Sequence, residues 1–125
     1  MKILLVAQRP ELRTHIQRNF MPRGAEIILY QNPIKAMDNL SEIAPEVVLF
    51  SADDFPRHWK PFLVFLRTSQ DRETCVFVIL AGDNFDHEEA DKAQSLHVNG
   101  IVHERLDDKT EIERIQIKGS DSEVN

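Results

Sequence analysis

Apolar residues along this chain gather into short continuous runs separated by stretches of helical period. Ile3 to Val6, Ile27 to Tyr30, Val47 to Phe50, Val76 to Leu80 and the short Ile101-Val102 are unbroken rather than alternating, the pattern of parallel strands covered on both faces. Between them, Leu12, Ile16 and Phe20 recur at i, i+4, i+8, and Ile34, Met37 and Leu40 at i, i+3, i+6, which predicts two amphipathic helices. The second is expected to begin at Asn32-Pro33, a capping residue followed by proline at the first helical position, where its missing N–H does no harm. Trp59, Phe62, Leu63 and Leu66 form a third stripe. Ala90, Ala93 and Leu96 form a small-residue stripe on a fourth helix starting near Asp86, and Ile112 and Ile115 mark a short, weak fifth. Strand and helix alternate throughout, which predicts an α/β protein with an open, mostly parallel five-stranded sheet, helices on both sides and right-handed crossovers. Sheets of this kind bind ligands outside the carboxyl ends of their strands, at the topological switch point.

The residues at those carboxyl ends are Ala7, Gln8, Ser51, Ala81 and Glu104, a set poor in reactive groups. At 125 residues the chain suits one domain that buries a core without disulfides or a structural metal. Composition is that of a globular protein, 42% hydrophobic and 29% charged, and no run approaches the ~20 apolar residues of a membrane helix. The apolar start is interrupted by Gln8, Arg9 and Glu11 too early for a secretory signal, so it reads as a buried first strand. Cys75 is the only cysteine, which excludes an intrachain disulfide and makes the cytoplasm the expected compartment. A net charge of −6 argues against nucleic-acid affinity, which needs a basic surface. The charge is uneven: residues 83–125 hold 12 Asp+Glu against 5 Lys+Arg, while Arg9, Arg13, Arg18 and Arg23 gather early in the chain. Those arginines suit an acidic partner, although a solvated helix face is the simpler reading.

Four segments, in order and at the right intervals, resemble the receiver domain of bacterial response regulators. The opening MKILLVAQRPELR is similar to that family's first strand and turn, with Ala7, Gln8 and Arg9 where acids are usual. Pro45 to Ser51 resembles the third strand, and Ser51 takes the place of the phosphoacceptor aspartate. Val76 to Gly82 resembles the fourth strand, with Ala81 (or Leu80 in the neighbouring register) where the family has a hydroxyl. Val98 to Leu106 resembles the fifth, with Ile101 at the aromatic switch position, Glu104 at the lysine and Arg105 at the proline.

The resemblance implies a flavodoxin-like (βα)5 fold of three α/β/α layers, a receiver-like domain over residues 1–117 and a polar tail over 118–125. It also implies a role in two-component signal transduction, as a degenerate member, or pseudo-receiver, of a bacterial family. In an active receiver the acids hold Mg²⁺ and the lysine contacts the phosphoryl group, and cations neutralise charge on the transferring oxygens. Glu104 reverses that charge: two like charges ~4 Å apart at an effective dielectric near 20 repel by about 4 kcal/mol, roughly a thousandfold in an equilibrium. The expectation is therefore a phosphorylation-independent module that acts by binding another signalling protein, without catalytic residues, metal or cofactor. Its fourth-helix, fifth-strand and fifth-helix face carries the acid excess, which favours a basic or mixed-charge partner; self-association as a homodimer stays open.

A competing expectation is a small-ligand- or metal-binding α/β domain, enzymatic or not, using Asp53, Asp54, Asp83 and Glu104 at the carboxyl edge. Asp53 and Asp54 lie beyond the end of the third apolar run, where paired acids before Phe55-Pro56 more often cap a loop. His15, His58, His87, His97 and His103 show no metal-ligand spacing, and four glycines at 24, 82, 100 and 119 build no phosphate loop. Cys75 reads as the buried opening of a strand, and His97 as a helix C-terminal cap where the family often has glycine. Trp59, Phe55, Phe62 and Phe65 form an aromatic cluster, read first as core and second as an exposed patch for a partner.

Overall fold

The computed structural model describes residues 1–70 and 74–103, without the side chain of Arg23. Glu104, Arg105, the helix around Ile112 and Ile115, and the tail 118–125 lie outside the described residues. Five parallel strands, β1 (Lys2–Val6), β2 (Glu26–Tyr30), β3 (Val47–Ser51), β4 (Val76–Ala81) and β5 (Gly100–His103), stand in the order β2-β1-β3-β4-β5. This is the parallel five-stranded sheet that the apolar runs imply, in the doubly wound, flavodoxin-like order that the receiver resemblance implies.

Side-chain alternation sends the two halves of each strand into different cores. On one face Leu4, Val6, Val48, Phe50, Phe77 and Ile79 pack under helices α2 (Pro33–Asp38), α3 (Leu40–Ile43), α4 (Trp59–Ser69) and α5 (His87–Ser95). On the other face Ile3, Leu5, Val47, Leu49, Val78 and Leu80 pack under α1 (Pro10–Phe20), through Leu12, Ile16 and Phe20. Burial on both faces is why the strands read as continuous apolar runs. Phe50 anchors the first core, with the rings of Phe62 and Phe77 at 5.2 and 5.9 Å.

Local chemistry sets the helix ends. Asn32 Oδ1 accepts from the N–H groups of Ile34 and Lys35, with Pro33 next, as the sequence indicates. Asp86 caps α5 by accepting from Glu89 N. The expected second helix differs from its prediction: Asn39 divides it into α2 and α3, its own N–H shared between the carbonyls of Lys35 and Ala36. Its buried face is Pro33, Ala36, Leu40 and Ile43, and Ile34 is 57% exposed. The i, i+3, i+6 spacing misplaced Ile34 because three-residue steps drift round a helix of 3.6 residues per turn, so Ile34 lies about 120° from Leu40. The aromatic cluster also divides, with Trp59 and Phe62 buried and Phe65 46% exposed beside exposed Val64.

Candidate functional site

The chain runs from β1 outward to β2 and returns to β3 on the other side of β1, so the switch point lies between β1 and β3. The residues following those strands meet there. Ala7 is fully buried and donates its N–H to the Tyr30 carbonyl, while Gln8 is exposed and its carbonyl accepts from the Gln31 side chain. Ser51 ends β3 with no exposed surface. Its hydroxyl oxygen accepts from the Asp54 N–H at 3.3 Å and from an Arg9 guanidinium N–H at 3.4 Å.

The centre of the arrangement is an ion pair. Arg9 Nε donates to Asp54 Oδ1 at 2.6 Å, and Asp54 Oδ2 accepts from the backbone N–H groups of Gln8 at 2.8 Å and Arg9 at 3.3 Å. Both carboxylate oxygens are thereby engaged, and the side chain is only 7% exposed. The turn after β3 places Asp54 here because its first residues wrap back over the strand end, with Phe55 N bonded to the Ser51 carbonyl. Asp53 turns the opposite way: Oδ1 accepts from Gly82 N and Oδ2 from Asn84 N, each at 3.3 Å. The two adjacent carboxylates thus tie the loop after β3 to the loops after β1 and β4. Gly82 is required for this approach, since a Cβ there would collide with the Asp53 carboxylate.

Other residues singled out in the sequence are dispersed. Ala81 is half-buried at the end of β4, and Ile101 in β5 pairs with Ile79 and packs on the first core. Asp83 is exposed in the loop beyond Gly82. Asp53, Asp54 and Asp83 therefore do not converge, and among the described residues no group of three His, Cys, Asp or Glu has the geometry to hold a metal. Arg9 leaves the early basic cluster to pair with Asp54, whereas Arg13 and Arg18 are exposed on α1. Cys75 is buried just ahead of β4, and burial pushes its thiol up to about 11 against a smaller lowering by Arg67. His97 has a left-handed backbone (φ 64°) just past α5, the capping role its position suggested.

Two features escaped the sequence reading. One is the Arg9–Asp54 pair, whose signal was a base and an acid in the two loops that flank the switch point. The other is Arg67, which donates to the carbonyls of His97, Gln70 and Cys75 and to Asn99 Oδ1.

Residues 1–98 match the family model TP_0454_N, described as an N-terminal domain. The chain belongs to the TP_0454_N family. A Treponema pallidum (strain Nichols) protein described as uncharacterized is 40% identical to this TP_0454_N domain over 67 residues, or 54% of the chain. The match spans 29% of that relative's length. Among solved structures, the signal receiver domain of an HD domain-containing protein from Pseudomonas fluorescens Pf-5 superposes with a TM-score of 0.81 at 15% identity, over 99% of this chain and 98% of that one. A response-regulator receiver domain from Bermanella marisrubri gives 0.79 at 15% identity over 94% and 97%. The pseudo-receiver domain of the CikA protein gives 0.68 at 19% identity over 94% and 96%. At these identities the likeness is one of fold, and the TP_0454_N domain has the fold of a receiver. Among its described residues no helix is long and apolar enough to cross a membrane.

Proposed function

We propose that this domain is a pseudo-receiver: a signalling module that works without phosphorylation and acts by binding another protein, in the cytoplasm of a bacterium. The observation that carries the reading is the Arg9–Asp54 pair closed over Ser51. A guanidinium occupies the edge where a metal-dependent phosphoryl transfer would need acids, and the hydroxyl beneath it is fully buried. A serine also lacks the carboxylate that forms an acyl phosphate. Asp53 and Asp54 spend their oxygens on backbone N–H groups and on Arg9, which weakens the competing reading of a metal or small-ligand site that also uses Asp83 and Glu104. On this reading the receiver-like unit spans residues 1–117, and neither catalysis nor a cofactor is needed.

Incubating the chain with acetyl phosphate and Mg²⁺ and weighing it intact tests the reading. No phosphoryl adduct is expected. An adduct that forms in the wild type and disappears in Ser51→Ala would overturn it.

A further inference from the structure

A second feature lies on the other side of the loop that follows β3. Between this loop and the start of α5 is a cavity of about 270 Å³, walled by Trp59 and Phe85 and by the carboxylate-bearing Asp53, Asp86 and Glu89. Its size falls below the ~300–1,000 Å³ of typical small-molecule sites, which suits a single inserted side chain rather than a cofactor. The two aromatic rings stand edge to face with centroids 5.7 Å apart. Among the described residues that line it there is no lysine or arginine.

The charge balance of the lining is negative. Glu89 is met by Lys60 at 3.2 Å and Lys92 at 3.5 Å. Asp53 is held by neutral backbone N–H groups, and Asp86 Oδ1 by Glu89 N, so among the described residues neither forms an ion pair. Trp59 and Glu89, two of the lining residues, already accept a cation between them, since Lys60 Nζ pairs with Glu89 and lies 5.3 Å from the centroid of the Trp59 ring. Acid next to aromatic surface in a slot of this size is matched best by a guanidinium, which is planar, weakly hydrated, stacks on rings and forks across carboxylates.

We propose that this cavity is a docking pocket for an arginine side chain of a partner protein. The inference rests on the reading of the domain as a protein-binding module and gives that partner's chemistry: an arginine on a basic or mixed-charge surface. Lys60, paired with Glu89, is then an internal cation that the incoming guanidinium joins or displaces.

The test is NMR titration of the full chain with the peptide Gly-Arg-Gly, with Gly-citrulline-Gly as a neutral probe of the same shape. The expected result is saturable shifts of the Trp59 indole N–H and the Asn84 and Phe85 amides with the arginine peptide, at least about tenfold weaker with citrulline. The Asp86→Asn/Glu89→Gln double variant should lose the response. Asparagine caps a helix as well as aspartate and glutamine still reaches Lys60, so the fold is kept while the charge goes. Absence of saturation, an equal response to citrulline, or an undiminished response in a folded double variant would each overturn the inference. Methylguanidinium binding more tightly than the peptide would overturn the assignment to a protein partner. If the double variant fails to fold, the citrulline comparison on the wild type decides. Phosphorylation at Ser51 alongside an intact arginine response would sink only the reading of the domain as phosphorylation-independent, and an arginine-blind cavity in a domain that forms no adduct sinks only the pocket.

Discussion

Asp54 is the residue on which the carboxyl edge turns, because it satisfies two backbone N–H groups and one guanidinium from a nearly buried position. Charges ~4 Å apart at an effective dielectric near 20 attract by about 4 kcal/mol, and desolvating Asp54 and ordering the half-exposed Arg9 offset much of that gain. Removing Arg9 alone leaves the carboxylate inside without its cation, so Arg9→Gln is expected to lower stability by about 1–2 kcal/mol in urea unfolding. Asp54→Ala should cost more, since it also strands the N–H groups of Gln8 and Arg9. Equal, negligible losses in both variants would mean that the pair is ornamental. Cys75 gives a pH signature. Burial raises the folded thiol from 9.0 to about 11, so the unfolded chain releases this proton first as pH rises. Its contribution to stability is complete below pH 9 and lost between 9 and 11. Wild type minus Cys75→Ala stability should therefore fall across that window and stay flat below it, as read by urea midpoints at each pH.

At the scale of elements, Arg67 acts as a clasp between the end of α4, the start of β4 and the turn into β5. Asn99 completes it by accepting from Phe77 N at 2.8 Å. Arg67→Ala should destabilise by about 2 kcal/mol, because several acceptors lose a charged donor together. Ala44 and His97 hold left-handed conformations (φ 48° and 64°) that cost an L-residue more than glycine, so Ala44→Gly should stabilise by about 0.5 kcal/mol, net of glycine's greater unfolded entropy. Thermal unfolding reads both. The elements themselves were legible in the sequence wherever burial is two-sided or a cap is explicit: the five apolar runs, Asn32-Pro33, Asp86, and the stripe of Trp59, Phe62, Leu63 and Leu66. Ile34 was misread because a three-residue spacing drifts, and the division at Asn39 because the break depends on that residue's bifurcated backbone bonding rather than on hydrophobic pattern. Arg67 left no periodic trace, since three of its four acceptors among the described residues are backbone carbonyls, which any residue carries, and His97 and Asn99 lie about thirty residues on.

For the whole molecule, strand order decides what meets what. Placing β1 beside β3 brings the two following loops together at the switch point, and a base in one finds an acid in the other. From the sequence the site was legible as a place, the carboxyl ends of β1 and β3, where Ala7, Gln8 and Ser51 lie. The ion pair that joins those ends was not legible, because Arg9 and Asp54 lie far apart in the chain and only the β1–β3 pairing makes them neighbours. The same geometry leaves Asp53 to hold the loop after β4, so the loops after β1, β3 and β4 are tied to one another by Asp53 and Asp54. Amide NMR of Gln8, Arg9, Ser51, Asp53 and Asp54 during titration with Mg²⁺ and beryllofluoride addresses this most directly. A closed edge leaves those resonances unmoved at concentrations that saturate an active receiver. Saturable shifts centred on Ser51 and Asp54 would mean that the edge opens to a cation and a phosphoryl mimic, contrary to a switch point shut by Arg9 and Asp54.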